Sequence, residues 1–255
     1  MISTAPPERQ WREVAGQSGV VLVDGFHAVK HALRFGADLR IILTADKAAL
    51  GGLARALAAD VVDVLEARAV EVTGAALAEL VPRVHPTGVA ALAVRPSVQA
   101  NRAALAAPGR QAPVVVLDHP RHLGNVGAVI RVAAGFGATG VITIGELDPW
   151  HPAAIRGSAG LHFATAVDRL ALGSLPDGPL YVLDPHGADI RSVAIGDDAL
   201  LAFGSERQGI SPQLRGRATE LVGLPMRAGV SSFNLATSVA MAMFAWLSGR
   251  KPGVA

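Results

Sequence analysis

Short apolar runs alternate with longer, helix-like segments along this chain, and the pattern predicts an α/β protein. In the first part, strands are predicted at VVLVD, at RIILT, near VVDVLE and at GVAALAVRP, which ends at Pro96. The helix-like segments between them are HAVKHALRFG, AALGGLARALAA and GAALAELV. This alternation is typical of a small α/β domain.

The second part of the chain repeats the alternation with strands that are apolar at nearly every position. These strands are predicted at VVVLD (114–118), GVITI (140–144), LYVLD (180–184), ALLAFG (199–204) and ELVGLPM (220–226). Continuously apolar strands separated by helices indicate a parallel sheet that is covered on both faces. We therefore expect a parallel α/β sheet from Pro113 onward.

A polar, alanine-rich stretch separates the two regions. It reads SVQANRAALAAPGRQA over residues 97–112 and contains Pro108-Gly109. Such a composition favours a linker. The predicted organisation is a first domain over 1–96, a linker over 97–112 and a second domain over 113–255.

The composition suits a folded protein with a sizeable core. Of 255 residues, 51% are hydrophobic and 17% are charged. The absence of cysteine excludes disulfides, thiolate metal sites and a cysteine nucleophile, and we expect no metal. The N-terminal residues lack the apolar run of a signal sequence, and the longest uncharged apolar stretch, residues 235–249, is too short to span a bilayer. The expected location is the cytoplasm.

The basic residues are unusual in kind rather than in number. Of 23 basic side chains all but Lys30, Lys47 and Lys251 are arginine, and the formal net charge is only +2. Arginine suits bidentate phosphate contacts, but a codon bias toward arginine and alanine explains the same composition. Residues 1–112 carry the whole positive excess, so a basic RNA-facing patch is expected in the first half.

Three segments of the second half combine glycines with polar side chains at the predicted strand ends. They are HLGNVGAVIR (122–131), FGSERQG (203–209) and LPMRAGVSSFNLA (224–236). Ligands bind beyond the carboxyl ends of parallel strands, so these segments are candidates for a binding site. We expect Asn125 to cap the N-terminus of the helix that follows the VVVLD strand. A serine is a common cap at the N-terminus of a helix such as the last one predicted in the chain.

Each segment also has an ordinary structural explanation. Arg131 can extend to solvent while Gly127 and Gly135 allow tight helix packing. The second segment can be a polar turn. A lone GxGxxG would be weak evidence for dinucleotide binding, and the chain does not carry that fingerprint after its first strand.

The joint occurrence and the order of these segments resemble the SpoU/TrmH branch of the SPOUT RNA methyltransferases. The patterns are Asn-x5-Arg, Gly-x-Glu-x-x-Gly and Leu-Pro-Met-x5-Ser-x-Asn, and Arg156-Gly-Ser-Ala-Gly160 is similar to a further family stretch. The resemblance covers roughly residues 113–250. In the first half, VDGFHAVKHALRFGA and HPTGVAALAV look like the family's substrate-binding domain, which is similar to small ribosomal RNA-binding proteins.

The resemblance implies an S-adenosylmethionine-dependent methyltransferase that acts on a ribose 2′-hydroxyl, with ribosomal RNA as the preferred substrate. It also implies a deep trefoil knot, a rare exception to unknotted folding, in which segments 203–209 and 224–236 form the cofactor site. Family members form homodimers through the knotted domain, commonly with the terminal helix. Residues 235–247 of that helix are apolar almost all round, so we expect burial on every side, within this chain or against a second copy.

Site residues follow by matching positions. The implied catalytic residues are Asn125, Arg131, Glu206, Ser232 and Asn234. The implied cofactor-binding residues are Gly204, Leu224, Met226, Ser232 and Phe233. The implied RNA-binding residues are Lys30, Arg34, Arg131, Arg156 and Ser158.

Two of these positions need comment. The family gives its arginine the role of general base, but neutralising a guanidinium at pH 7 would cost roughly 7 kcal/mol at about 1.36 kcal/mol per pKa unit. We therefore expect a charged Arg131 that fixes a phosphate and favours ionisation of the hydroxyl. Phe233 stands where the family usually has leucine, so the pocket is reshaped or the ring stacks on the adenine.

Other functions remain compatible with the residues. They are a transfer RNA 2′-O-methyltransferase, a non-catalytic RNA-binding assembly factor, and a small-molecule enzyme on an unrelated nucleotide-binding α/β fold. Housekeeping modification and self-protection against an antibiotic would use the same site chemistry. The intact Asn125, Arg131, Glu206, Ser232 and Asn234 argue against the non-catalytic alternative, whereas nothing in the sequence decides between housekeeping modification and self-protection.

Overall fold

Residues 5–250 are described by a computed structural model, whose chain forms two structural units. The strands are β1 Val20–Asp24, β2 Asp38–Thr44, β3 Ala69–Glu71, β4 Val89–Val94, β5 Val114–Asp118, β6 Gly140–Ile144, β7 Ala166–Arg169, β8 Leu180–Asp189, β9 Leu200–Phe203 and β10 Glu220–Gly223. The helices are α1 Pro7–Ala15, α2 Phe26–Arg34, α3 Lys47–Leu57, α4 Val62–Arg68, α5 Gly74–Leu80, α6 Val98–Leu105, α7 Leu123–Gly135, α8 Pro152–Gly157, α9 Pro212–Arg215 and α10 Leu235–Gly249.

The first unit contains a four-stranded mixed sheet in the order β1-β4-β2-β3. Strand β4 pairs antiparallel with β1 and β2, while β3 pairs parallel with β2. Trp11 of α1 and Leu77 of α5 are buried against Leu43 and Leu92 of the sheet. The small α/β domain predicted from the first half is therefore present.

The strand predicted near VVDVLE is wrong, because these residues form the end of a 3-10 turn and most of α4. Val61 and Leu65 are buried while Val64 between them is exposed. A spacing of four residues between buried positions is helical, whereas a strand would alternate every second residue. The neighbouring strand β3 begins at Ala69.

The segment 97–112, predicted as a linker, instead contains helix α6, and its residues from Val98 onward belong to the second unit. The side-chain amide of Asn101 donates to the Val167 carbonyl at 2.9 Å, and Leu105 is buried in the second core. The guanidinium of Arg110 is also buried and donates to the Leu105 and Asp177 carbonyls. These contacts tie the segment to the sheet.

The segment Trp150–Ala164 belongs to the first unit, although it lies inside the predicted second domain. A Cβ on Gly160 would lie 2.3 Å from the Ala28 carbonyl oxygen of α2, so only glycine permits this close packing. Arg156 forms an ion pair with the buried Asp24. The predicted domains 1–96 and 113–255 therefore do not account for the packing of residues 150–164 within the first unit.

The second unit is built on a six-stranded sheet in the order β10-β8-β9-β5-β6-β7, in which every pairing is parallel. This confirms the predicted α/β fold with a parallel sheet. Strands β5, β6 and β9 are buried at every residue, which explains their continuously apolar sequences. Strand β7 was not predicted, and the trefoil knot stays a prediction.

Helix α10 buries one face and exposes the other within this chain. Val239, Met243 and Trp246 are buried, whereas the side chains of Phe244 and Leu247 are 62% and 44% exposed. The expectation of burial on every side is therefore not met within the single chain. Among residues 5–250, no helix is long and apolar enough to cross a membrane.

Candidate functional site

A cavity of about 540 Å³ lies at the carboxyl ends of β9 and β10 and beside residues 183–185 in the middle of β8, and we call it the strand-end cavity. Three stretches of chain, 183–185, 203–210 and 224–238, supply all of its lining. The lining residues are Leu183, Asp184, Pro185, Phe203, Gly204, Ser205, Glu206, Gly209, Ile210, Leu224, Met226, Ser231, Ser232, Phe233, Asn234, Leu235 and Ser238. Its position at the strand ends agrees with the rule for ligand sites in parallel sheets.

The loop after β9 turns back on itself at Gly204. Ser205 and Gly209 exchange two backbone hydrogen bonds of 3.0 Å, and Gly209 has a φ of 65°. A Cβ on Gly204 would lie 2.2 Å from the carbonyl carbon of Gly209. The glycines at both ends of FGSERQG are therefore required by the backbone of the turn.

Hydrogen bonds between side chains join all three predicted segments beside the cavity. Asn125 donates to Oε1 of Glu206 at 2.6 Å, and Asn234 lies 3.5 Å from Oδ1 of Asn125. The backbone N–H of Arg121 donates to the second carboxylate oxygen of Glu206 at 3.3 Å. The structure thus brings Asn125, Glu206 and Asn234 together.

The predicted capping role of Asn125 is wrong. Helix α7 begins at Leu123 with His122 in the cap position, so Asn125 lies inside the first turn with its side chain directed to Glu206. At the head of α10, the cap is Asn234 rather than a serine, and its side chain accepts a bond from the Ala236 N–H at 2.9 Å.

The charge state of Glu206 follows from its partners. Burial raises the pKa of this carboxyl group, but the hydrogen bonds from Asn125 and from the backbone outweigh burial, so the net pKa is lowered. Glu206 is therefore an anion at neutral pH and accepts hydrogen bonds only.

Sequence reasoning missed Asp184, which lines the cavity at the end of the predicted LYVLD strand. Its carboxylate accepts a bond from the His186 N–H at 2.9 Å and forms an ion pair with Arg215. Burial raises its pKa, whereas these two partners lower it by more, so the net pKa lies below the ordinary value. An aspartate at a strand end, followed by proline, was the available signal.

Arg131 does not join this cluster. It is exposed on α7, it does not line the strand-end cavity, and within residues 5–250 its side chain makes no hydrogen bond or ion pair. Ser232 does line the cavity. Of the five residues with implied catalytic roles, Arg131 is the one that neither belongs to the hydrogen-bonded cluster nor lines the strand-end cavity.

The five residues implied to bind the cofactor all line the cavity. Leu224, Met226 and Phe233 supply apolar surface, and Gly204 and Ser232 lie among them. The side chain of Phe233 is 37% exposed, so its ring remains accessible.

The residues of the first unit that were implied to bind RNA are engaged within the protein. Lys30 is buried over the Phe26 ring, and Arg34 makes two hydrogen bonds to Asp60 at 2.6 and 2.7 Å. Arg156 is paired with Asp24, as described above. Ser158 is fully buried, and its hydroxyl lies 2.7 Å from Nδ1 of His162, so it offers no exposed polar atom. In the part of the chain that is described, no three His, Asp or Glu side chains are grouped so as to hold a metal.

Comparison with known proteins gives a consistent result. The model of the SpoU rRNA methylase family matches residues 112–244. The chain is 33% identical over 147 residues to the 23S rRNA (adenosine(1067)-2′-O)-methyltransferase of Streptomyces laurentii, covering 51% of this chain and 52% of that protein. It is 31% identical over 144 residues to the 23S rRNA (uridine(2479)-2′-O)-methyltransferase of Streptomyces viridochromogenes, covering 51% and 50%. The match thus spans about half the length of these relatives.

Two solved structures share the fold over nearly the whole chain. The SpoU methyltransferase AviRb from Streptomyces viridochromogenes superimposes with a TM-score of 0.74 and 25% identity, covering 95% of this chain and 98% of that one. The AdoMet-bound rRNA methyltransferase from Sinorhizobium meliloti superimposes with a TM-score of 0.73 and 23% identity, covering 96% and 95%.

Proposed function

The chain belongs to the SpoU rRNA methylase family, and we propose that it transfers a methyl group from S-adenosylmethionine to a ribose 2′-hydroxyl of ribosomal RNA. The observation that supports this most is the strand-end cavity, because it unites the five implied cofactor-binding residues and adjoins the Asn125–Glu206 bond. The activities of the Streptomyces relatives belong to the same reaction class.

The residues of the cavity fit S-adenosylmethionine. A volume of about 540 Å³ lies in the usual range for ligand pockets, roughly 300–1,000 Å³. Leu224, Met226 and Phe233 offer apolar surface to a purine, and the missing side chain at Gly204 lets a ligand approach the backbone closely. The bound cofactor supplies a methyl group activated by its positive sulfur.

The remaining residues of the site act on the nucleotide. Anionic Glu206 orients the Asn125 amide, and Asn234 lies within reach of the same amide. A charged Arg131 holds a phosphate of the RNA and stabilises negative charge that develops on the 2′-oxygen. Positioning and electrostatic stabilisation of this kind are the main contributions that a methyl transfer needs from the protein.

We also propose that the chain forms a homodimer and acts in the cytoplasm. The exposed apolar face of α10, with Phe244 and Leu247, supports a homodimer formed through the second unit. The chain acts in the cytoplasm, where a ribosomal RNA substrate would be met. The trefoil knot over segments 203–209 and 224–236 belongs to the same proposal.

Binding and transfer experiments test the proposal separately. Isothermal titration calorimetry should give binding of S-adenosylmethionine and none of NAD; binding of NAD alone would favour a small-molecule enzyme instead. Incubation with labelled S-adenosylmethionine and total RNA should label ribosomal RNA. The position of the 2′-O-methyl group is then mapped in the labelled RNA.

The labelled fraction distinguishes the alternatives. Label in transfer RNA would mean that the substrate is transfer RNA and that the reaction is the proposed one. Cofactor binding without any label in RNA would instead indicate a non-catalytic RNA-binding protein. The Arg131→Ala variant controls for methylation by contaminating enzymes.

A further inference from the structure

The charged side chains that line the strand-end cavity are both acidic. They are Asp184 on β8 and Glu206 on the loop after β9, and no lysine, arginine or histidine of residues 5–250 is among the lining residues. The other lining residues are apolar residues, glycines, serines and Asn234. The described wall of the cavity therefore carries negative charge and no positive charge.

Both carboxyl groups are ionised at neutral pH. Burial raises the pKa of Asp184 and of Glu206, but the hydrogen-bond partners of each group lower its pKa by more, so both pKa values lie below the ordinary ones. Each of the two side chains is therefore an anion when a ligand enters the cavity at pH 7.

The charge of Glu206 is not balanced by a cation in direct contact. Its carboxylate oxygens accept from the Asn125 amide at 2.6 Å and from the Arg121 backbone N–H at 3.3 Å, and both donors are neutral. Within residues 5–250 Glu206 forms no ion pair. It thus contributes a full negative charge to the cavity.

The charge of Asp184 is balanced only from outside the cavity. Arg215 forms an ion pair with Asp184 but does not line the cavity. The side chain of Arg215 is 45% exposed, whereas that of Asp184 is 8% exposed. Solvent screens an exposed charge more than a buried one, so the cavity side of this pair remains negative.

Strand pairing places Asp184 next to the turn that shapes the cavity. Val182 is opposite Ala202 in the parallel β8–β9 pairing, so Asp184 is level with Gly204. Paired strands are about 4.8 Å apart, and Gly204 has no side chain that could separate Asp184 from a ligand. Both residues line the cavity.

The two forms of the proposed cofactor differ in the charge that such a wall attracts. S-adenosylmethionine has a positive sulfur, whereas its demethylated product, S-adenosylhomocysteine, has a neutral sulfide. The adenosine and the amino-acid end are the same in both. Negative charge in a cavity with low-dielectric walls therefore acts on the difference between them.

We propose that Asp184 is a specificity-determining residue, whose negative charge, together with that of Glu206, makes the strand-end cavity bind S-adenosylmethionine more tightly than S-adenosylhomocysteine. This inference rests on the proposed function, because it takes the cofactor as the occupant of the cavity. Its consequence for turnover is that the product lacks the attraction that holds the methyl donor, which favours exchange of the cofactor after each transfer.

The test is calorimetry with three ligands that differ in charge. The third ligand is sinefungin, in which an amine that is protonated at neutral pH replaces the methylated sulfur. The wild type should bind S-adenosylmethionine and sinefungin at least about fivefold more tightly than S-adenosylhomocysteine, since two opposite charges 4 Å apart contribute about that factor even in water.

Asp184→Asn removes the charge and keeps the size of the side chain. Its affinity for the two cationic ligands should fall at least about fivefold, while its affinity for S-adenosylhomocysteine should change less than about twofold. The matched control is Asp177→Asn, which removes an exposed carboxylate that precedes β8 and does not line the cavity. The control should bind all three ligands like the wild type.

Two further measurements complete the test. Glu206→Gln should also weaken binding of the cationic ligands and spare the neutral one, and this result does not depend on how well Asp184→Asn folds. In RNA methylation assays, the ratio of the inhibition constant of S-adenosylhomocysteine to the KM of S-adenosylmethionine should fall at least about fivefold in Asp184→Asn.

Distinct results would overturn the inference. Equal affinity of the wild type for all three ligands would overturn it while the proposed function stands. An equal loss for all three ligands in Asp184→Asn, or no loss for any, would show that the charge of Asp184 does not determine the selectivity. A wild-type protein that prefers the cationic ligands but methylates no RNA would overturn the proposed reaction and keep the inference, whereas one that binds none of the three would overturn both.

Discussion

The side-chain amide of Asn125 donates a 2.6 Å hydrogen bond to Glu206, and this bond joins the first turn of α7 to the loop after β9. The two residues are 81 positions apart in the sequence. Because Glu206 is anionic at neutral pH, it can hold Asn125 only by accepting from its N–H₂ group. The orientation of the amide therefore depends on the charge of Glu206.

Replacing Asn125 by aspartate should disrupt this orientation without changing the size of the side chain. Two carboxylates would then face each other, and we expect kcat/KM for RNA methylation to fall about 100-fold at pH 7. Below about pH 5 the pair can share one proton, so part of the activity relative to wild type should return. Steady-state assays across this pH range measure the effect.

The matched control is Gln208→Glu, which adds the same charge at an exposed position of the same loop. It should retain wild-type activity within about twofold, as expected for a surface charge screened by solvent. Equal losses in both variants would mean that net charge, rather than the Asn125–Glu206 bond, is responsible.

Gly204→Ala should abolish cofactor binding. The added Cβ would lie 2.2 Å from the Gly209 carbonyl carbon and 2.4 Å from the Ile210 nitrogen, so the loop that lines the cavity must move. Such overpacking typically costs about 1–3 kcal/mol of stability. Calorimetry with S-adenosylmethionine and thermal unfolding measure the two effects.

Gly173→Ala is the control for this experiment, because a Cβ there meets no atom within 4 Å and the residue lies in the same unit. It should bind the cofactor like the wild type. Wild-type affinity in Gly204→Ala would show that the turn at 204–209 does not shape the binding site.

The central strands could be predicted well from the sequence, because strands that are buried at every residue are apolar at nearly every position. Strands β5 and β6 occupy the predicted residues 114–118 and 140–144, since both are apolar throughout. Strand β7 escaped prediction because it has only four residues, AVDR, and two of them are charged. The meeting of loops 203–209 and 224–236 was predictable, since parallel strands end at one edge of a sheet.

The sequence could not predict the directions in which side chains point from a helix, or the contacts between residues that are far apart in the chain. Asn125 and Arg131 lie on one helix, but six residues correspond to a rotation of about 120° between their side chains at 3.6 residues per turn. The Asn-x5-Arg pattern therefore does not place both in one cluster. Likewise, the packing of Gly160 on Ala28 joins residues from opposite halves of the chain, and no local pattern marks it.

Asp184→Asn should destabilise the protein in a pH-dependent way. The pKa of Asp184 is lowered in the folded protein from its ordinary value of 3.8, because the partners of its carboxylate outweigh burial. Its stabilising effect is therefore complete above that value and is lost as the pH falls through the lower folded pKa. We expect the free energy of unfolding to fall by about 1–3 kcal/mol at pH 7, with the difference from wild type narrowing below about pH 4.

Urea unfolding at a series of pH values measures this difference. Glu79→Gln is the control, because Glu79 pairs with Arg12 at 3.7 Å with both side chains largely exposed. Exposed ion pairs contribute little to stability, so the control should unfold like the wild type at every pH. A constant difference for Asp184→Asn down to pH 3 would contradict the assigned charge state.

Phe244→Glu should convert the proposed homodimer into monomers. Phe244 is 62% exposed on the apolar face of α10, so burying this face against a second copy would leave an introduced carboxylate without a partner. Light scattering at micromolar concentration should give a dimer for the wild type and a monomer for the variant. Val64→Glu, at an exposed apolar position of α4 in the first unit, should remain dimeric; a monomeric wild type would refute the dimer.

Arg131→Lys should retain more activity than Arg131→Ala, because a lysine preserves the positive charge that we assign to this position. Loss of one electrostatic stabiliser typically costs about 10²–10³-fold in kcat, which we expect for Arg131→Ala, whereas Arg131→Lys should keep about a tenth of wild-type activity or more. Both variants should bind S-adenosylmethionine normally, since Arg131 does not line the strand-end cavity. If Arg131→Lys fell to the level of Arg131→Ala with normal cofactor binding, charge alone would not explain the role of Arg131, and the geometry of the guanidinium would be required.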